Sequence, residues 1–242
     1  MSTQKERIAF VTGGSKGIGK EVVRGLARQG VVVVIGARNI EAGQRTAAEL
    51  SSEGTVLFHP FDVTDENSRR QGAEYVERQF GRLDILINNA GIATDGPPGT
   101  GGRCPPSEVS IPEIRAIYET NVFGAIGAIQ AFLPLLRLAP AGRIVNVSSG
   151  LGILSTDRDF FNMAYSSSKT ALNAVTRHFA HEFKGSSVTI NSAAPGFCAT
   201  DLNGFTGPRT PAQGAAIIIR LALMGEDSPN GGFFNEDGPM PW

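Results

Sequence analysis

The chain has 242 residues, 41% of them hydrophobic and 19% charged, values ordinary for a folded globular protein and incompatible with disorder on a large scale. Its formal net charge of -1, with Lys and Arg scattered among Asp and Glu, excludes the basic face that phosphate-backbone binding needs, so no nucleic-acid partner is expected. The longest apolar run near the start, Val31 to Ile35, is far short of the roughly 20 residues that span a bilayer, and no apolar signal region precedes the first strand pattern, so a cytoplasmic protein without membrane contact is expected.

Short apolar, β-branched runs at 8–11, 31–35, 56–58, 83–87, 143–147 and 188–191 alternate with helical patterns at 17–29, 41–51, 65–80, 111–138, 162–183 and 210–224. Such alternation predicts parallel strands joined by right-handed helical crossovers, with helices on both faces of one sheet. One domain, a doubly wound α/β unit, is therefore expected over residues 1–242. In the 162–183 helix, Leu172, Val175, Phe179 and Phe183 recur at helical spacing and are read as its core-facing stripe. The segment 91–107, with Pro-Pro-Gly-Thr-Gly-Gly at its centre, is a loop, read either as a surface connection or as an active-site lid. Cys104 and Cys198 lack zinc-site spacing and are read as free thiols, and no metal is expected.

Between the first strand and the first helix lies Thr12-Gly13-Gly14-Ser15-Lys16-Gly17-Ile18-Gly19. Glycines there allow positive φ and close backbone approach, so that the helix's first N–H groups and dipole can meet a pyrophosphate. After the second strand, where an NAD site would offer Asp or Glu to the ribose, Arg38 stands instead. A guanidinium can clasp an adenosine 2′-phosphate, with Lys16 as a second cation, which favours NADP(H) while leaving NAD(H) possible. The plainer reading makes both solvated surface cations, a reading that suits Lys16 better than Arg38.

Tyr165 and Lys169 stand one helical turn apart on one face. A phenol of pKa about 10 beside an ammonium is expected to have its pKa lowered, letting Tyr165 exchange protons in hydride-transfer chemistry. Alone, this spacing often means only a surface pair; Ser149, ending the 143–147 strand run, adds a hydroxyl to orient a substrate oxygen. Ser148 is expected to point to the opposite face.

With these residues in place, the sequence resembles the short-chain dehydrogenase/reductase family, in the branch with the Thr-Gly-x-x-x-Gly-x-Gly turn. The matches run along nearly the whole chain: Thr12 to Gly19, Asp62-Val63, Asn88-Asn89-Ala90-Gly91, Asn121, Ser149, Tyr165, Lys169, Pro195-Gly196 and Thr200. The resemblance implies a Rossmann fold of strand order 3-2-1-4-5-6-7. It also implies a cofactor held by Gly13, Ser15, Lys16, Gly17, Ile18, Gly19, Arg38, Asp62, Val63, Asn89, Ala90, Gly91, Tyr165, Lys169, Pro195, Gly196 and Thr200. Asp62 and Val63 would border the adenine, Lys169 would hold the nicotinamide ribose, and the backbone after Pro195 with Thr200 would fix the carboxamide. Asn121, Ser149, Tyr165 and Lys169 would form the catalytic set, Asn121 binding a water through its backbone.

Phe58-His59-Pro60, the 210–215 stretch and the 232–242 ending are similar to carbonyl reductases; the 149–165 segment is longer than the family's shortest forms, and the loop after Thr200 is short. The resulting expectation is an NADPH-dependent reductase of ketones or aldehydes; the rival is an NADP(H)-binding regulatory protein without turnover. Phe160, Phe161, Met163, Phe197, Leu202 and Phe205 are read either as lining for an apolar or aromatic substrate or as core, and a homo-oligomer is favoured over a monomer.

Overall fold

A computed structural model of the chain describes residues 6–93, 104–155, 162–225 and 227–242. Eight strands form one sheet in the order β3-β2-β1-β4-β5-β6-β7-β8. They are β1 (Ile8–Thr12), β2 (Val32–Ala37), β3 (Val56–Pro60), β4 (Ile85–Asn88), β5 (Gly142–Val147), β6 (Val188–Ala193), β7 (Phe233–Asn235) and β8 (Gly238–Pro239). Neighbours from β3 through β7 pair in parallel, and β8 turns back antiparallel on β7. The expected order stands; β8 is an addition that the strand patterns do not reveal, because its pairing rests on two residues and a turn.

The helices are α1 (Gly17–Arg28), α2 (Ile40–Leu50), α3 (Glu66–Phe80), α4 (Ile111–Tyr118), α5 (Gly124–Leu136), α6 (Met163–Glu182) and α7 (Pro211–Leu223). Their starts follow capping chemistry. Asn39 accepts from Ala42 N at 2.8 Å, Asp65 from Ser68 N at 2.6 Å, and Thr210 and Gln213 cap each other's backbone N–H groups at α7. Gly81 closes α3 in the left-handed conformation, φ 72°.

Strand residues alternate between two cores, as a sheet covered on both faces requires. One face joins Ala9, Val11, Val33, Ile35 and Ile87 to Val23 and Leu26 of α1 and Ile218 and Leu221 of α7. The other joins Phe10, Val34, Leu86 and Ile144 to Val76 of α3, Phe132 of α5 and Phe183 beyond α6.

The expected single helix over 111–138 is instead α4, a π-helical turn at Glu119–Phe123, and α5. Gly124 N bonds back five residues to Glu119 O, which inserts an extra residue and rotates the two halves relative to each other. This run, Ile111–Leu136, is the one helical stretch among the described residues long and apolar enough to cross a membrane, yet over half of its most apolar window is buried within the fold. It is placed as a core helix. Of the stripe expected on α6, Leu172 and Phe183 are buried and Phe179 packs partly buried against the core, while Val175 is half-buried; the buried face also carries Ser166, Ser168, Lys169, Asn173 and Thr176. The buried Asn173 amide makes no hydrogen bond among the described residues, but Thr176 faces inward because partners await it.

Those partners form a row across the sheet's carboxyl edge. Thr12, Asn88, Asn146 and Ser192 are in register on four adjacent strands. Asn88 Nδ2 donates to Asn146 Oδ1, Asn146 Nδ2 donates to Thr176 Oγ1, and Thr176 Oγ1 pairs with Ser192 Oγ, each at 2.9 Å. Asn146→Ala would leave Asn88 Nδ2 only its long 3.5 Å bond to Ala125 O and take one of three bonds from Thr176 Oγ1, which keeps Leu172 O and Ser192 Oγ, and with the buried volume lost the cost is about 3 kcal/mol. A thermal melt should show Tm lowered by about 6–12 °C; an unchanged Tm would mean the row contributes nothing.

Candidate active site

The strand order reverses between β1 and β4, and the chain leaves both strands on the same edge. Thr12 ties the two exits together. Its Oγ1 accepts from Asn89 N and Ala90 N, both at 3.0 Å, and donates to Ile87 O at 3.3 Å. Asn89 Nδ2 returns bonds to the carbonyls of Thr12 at 3.0 Å and Gly13 at 3.1 Å. Gly13 and Gly17 take φ of 65° and 54°, which favour glycine. A Cβ on Gly19 would lie 2.3 Å from Gly13 O and 2.4 Å from Asn89 Nδ2, so only hydrogen fits. Lys16, which precedes α1, makes no side-chain cap, and the first turn holds no acidic residue. The positive end of α1 thus lies open to an anion.

A cleft of about 470 Å³ opens above this turn. Its walls include Gly13, Ser15, Lys16, Gly17, Ile18 and Gly19 from the turn; Arg38 after β2; Asp62 and Val63 after β3; Asn89, Ala90 and Gly91 after β4; and Thr200 after β6. Of the residues named for a cofactor, Pro195, Gly196, Tyr165 and Lys169 stand outside these walls. Arg38 is exposed and makes no ion pair or side-chain hydrogen bond among the described residues. Lys16 differs: its ammonium makes an exposed pair with Asp201, across the cleft from the turn. Asp62 Oδ1 accepts from Thr64 N at 2.9 Å and Thr64 Oγ1 at 2.8 Å, which shapes the wall beside Val63.

The end of the cleft at Gly91 adjoins the other candidates. A Cβ on Gly91 would lie 3.3 Å from Asn121 Oδ1 and 3.6 Å from Lys169 Nζ. Asn121 sits in the π-helical turn, and its side chain clamps the Ile92 peptide: Oδ1 accepts from Ile92 N at 2.8 Å and Nδ2 donates to Ile92 O at 2.9 Å. Nδ2 also donates to Ser168 Oγ at 3.1 Å. Lys169 is buried, donates to Val147 O at 2.9 Å, and places Nζ 5.4 Å from the Tyr165 ring centroid. Ser149 hydrogen-bonds the Tyr165 phenol, whereas Ser148 turns inward and donates to Lys169 O at 3.4 Å.

Protonation departs from the expectation of a phenol made more acidic by its neighbouring ammonium. Burial pushes Tyr165 up to about 12, with only the Ser149 hydrogen bond pulling it down. Burial also drives Lys169 down to about 8. The reason is that a low-dielectric surrounding disfavours phenolate and ammonium alike, while Lys169 spends its hydrogen bond on a carbonyl rather than on the phenol. Cys198 is buried and its thiol raised by that burial, which leaves it unreactive. Cys104 and Cys198 are both free, and no cluster of metal-ligating side chains occurs among the described residues.

Phe197, Leu202 and Phe205 are 55%, 40% and 69% exposed, so they are not core; Met163 is half-buried. Phe160 and Phe161, with the rest of 156–161, lie outside the described residues, as do 94–103 of the expected loop. Pro106–Glu108 at its far end forms a 3₁₀ turn. Sequence reasoning missed Ser168, Ile92 and Asp201, whose links to the site span 29 to 185 residues and leave no local signal.

A family model described as short chain dehydrogenase matches residues 7–210. The (+)-neomenthol dehydrogenase of Capsicum annuum is 33% identical over 96% of this chain and 96% of its own. Among solved structures, the RhlG/NADP active-site complex of Pseudomonas aeruginosa is 31% identical with a TM-score of 0.84, covering 96% of this chain and 95% of that one. The NADPH-bound carbonyl reductase from chicken fatty liver is 25% identical with a TM-score of 0.86, covering 98% and 99%.

The clamp on Ile92 makes a structural forecast. Asn121→Leu removes all three side-chain bonds, so amide exchange at Ile92 should accelerate by at least about tenfold while α7 amides keep their protection; unaltered exchange at Ile92 would refute the clamp.

Proposed function

The chain belongs to the short-chain dehydrogenase family, and on that premise we propose that it is an NADPH-dependent reductase of ketones and aldehydes in which Tyr165 delivers the proton. One observation carries the reading: a single cleft has an unpaired guanidinium, Arg38, and an open helix end on its walls, and Gly91 at its margin lies close to Lys169 and Asn121. One domain would thus both hold the cofactor and perform the chemistry. The two free thiols accord with a cytoplasmic setting.

The fit of an NADP(H) molecule rests on residues present. The uncapped α1 end and the glycines of the turn would receive the diphosphate, Arg38 the 2′-phosphate, and Asp62 and Val63 the adenine side. Lys169, Pro195, Gly196 and Thr200 would hold the nicotinamide end. The chemistry supplied by bound NADPH is hydride donation to the carbonyl carbon.

The remaining work falls to the chain. Ser149 and Tyr165 hydroxyls, already bonded to each other, can both donate to one carbonyl oxygen, which positions it and stabilises the charge it gains. A phenol held at about 12 stays protonated at neutral pH and so stands ready as the acid of a reduction. Lys169, at about 8, can gain and lose a proton near neutrality and would restore the one Tyr165 gives up. Asn121, bonded to Ser168 one residue before Lys169, would hold that end of the relay in place. Exposed Phe197, Leu202 and Phe205 favour an apolar or aromatic ketone.

NADPH oxidation with a panel of aryl ketones, α-keto esters and diketones tests the activity. Tight NADPH binding without turnover across the panel would replace it with the regulatory reading. Tyr165→Phe should lower kcat at least about 100-fold and leave the NADPH Kd within about twofold; near-native turnover would sink the proton-donor role. Arg38→Asp should weaken NADPH binding at least about tenfold more than NADH binding, a difference isothermal titration resolves. The pH profile has a sign as well. Lys169 is protonated below about 8, so kcat/KM for reduction should be level below that pH and fall above it, while oxidation of the alcohol should rise.

A further inference from the structure

The turn that leaves β6, residues 195–200, is shaped by a residue that stands outside both the cleft and the catalytic set. Arg209 N donates to Phe197 O at 3.2 Å and Arg209 O accepts from Ala199 N at 2.8 Å, a one-residue parallel bridge opposite Cys198. Its side chain runs under Gly196: a Cβ there would lie 2.7 Å from Arg209 Cδ and 3.1 Å from Nε, and Gly196 itself takes φ 79°. Beyond the turn, Nη2 donates to Gln213 O at 3.2 Å in α7 and pairs with the Glu236 carboxylate, between β7 and β8. Arg220 fixes that same corner through the carbonyls of Asn235 at 2.9 Å and Glu236 at 3.2 Å. Arg209 is thus the brace between the β6 turn, the amino end of α7 and the closing hairpin.

We propose that Arg209, held by Glu236, is a positioning residue that sets the 195–200 turn for the nicotinamide half of the cofactor. The assignment rests on the reading above in which Pro195, Gly196 and Thr200 meet that half. Two features separate it from general packing. The guanidinium interacts with Cys198 in the turn, Gln213 in α7 and Glu236 before β8, and with nothing in the glycine loop, so its loss should leave the adenosine end intact. The backbone bridge does not need the side chain, so the turn should loosen rather than unfold.

Full-length Arg209→Met and Glu236→Gln should be titrated with NADP⁺ and with 2′,5′-ADP, which carries the adenosine half alone. NADP⁺ binding should weaken about tenfold in Arg209→Met, equivalent to about 1.4 kcal/mol, and severalfold in Glu236→Gln. The 2′,5′-ADP Kd should stay within about twofold in both, and Arg209→Lys should recover part of the NADP⁺ loss. Unchanged NADP⁺ binding, or equal weakening of both ligands, would overturn the assignment. Should Arg209→Met fail to fold, Glu236→Gln decides alone by the same split. Failure of the wild-type protein to bind either ligand would strike the cofactor reading itself, and this assignment with it.

Discussion

Three adjacent parallel strands carry, near their carboxyl ends, polar side chains tied through Thr176 of α6 into one buried chain of hydrogen bonds, and the rest of the site is built on that row. A buried amide or hydroxyl without a partner costs more than an apolar group in its place, so Asn88, Asn146 and Ser192 reinforce the backbone pairing of β4, β5 and β6 because α6 supplies Thr176 to complete the chain of bonds. Thr12 carries the constraint across to β1 and hands it to the glycine turn through Asn89. The cleft and the Ser149, Tyr165 and Lys169 group therefore share one rigid floor.

Above that floor the electrostatics follow from dryness. Two ionisable groups one helical turn apart in water would be expected to help each other ionise, but burial penalises both charges and moves their proton affinities in the opposite sense. The outcome is a phenol that keeps its proton and an amine that gives its proton up more readily than usual. That assignment suits proton donation to a carbonyl oxygen better than proton abstraction from an alcohol.

Much of this was legible in the sequence where the signal is local. The glycine turn from Gly13 to Gly19, the Tyr165 and Lys169 spacing and the polar end of β5 are short patterns whose geometry follows from strand and helix periods. What escaped reading depends on distant partners. The inward polar face of α6 looks like a weak helix until Asn146 and Ser192 are placed beside it. The π-helical turn that carries Asn121 is invisible to a 3.6-residue period, since the apolar pattern continues through it. The engagement of Lys16 by Asp201 joins residues that only the folded sheet brings together.

Burial of Lys169 also couples folding to solvent protons. In the unfolded chain its amine would hold a proton up to about 10.5, but in the fold only up to about 8, so folding between those limits expels a proton. The penalty for enclosing that amine is complete below about 8 and fades as pH rises through the window. Tyr165 works the other way: the fold retains a proton that the unfolded chain would release between about 10 and 12, so its contribution turns against the native state as pH rises further, once ionising the unfolded phenol becomes favourable. For these two groups taken together, the fold is most stable at about pH 10, where the Lys169 penalty has nearly gone and the Tyr165 loss has only begun, well above the pH at which the proposed reduction would run best.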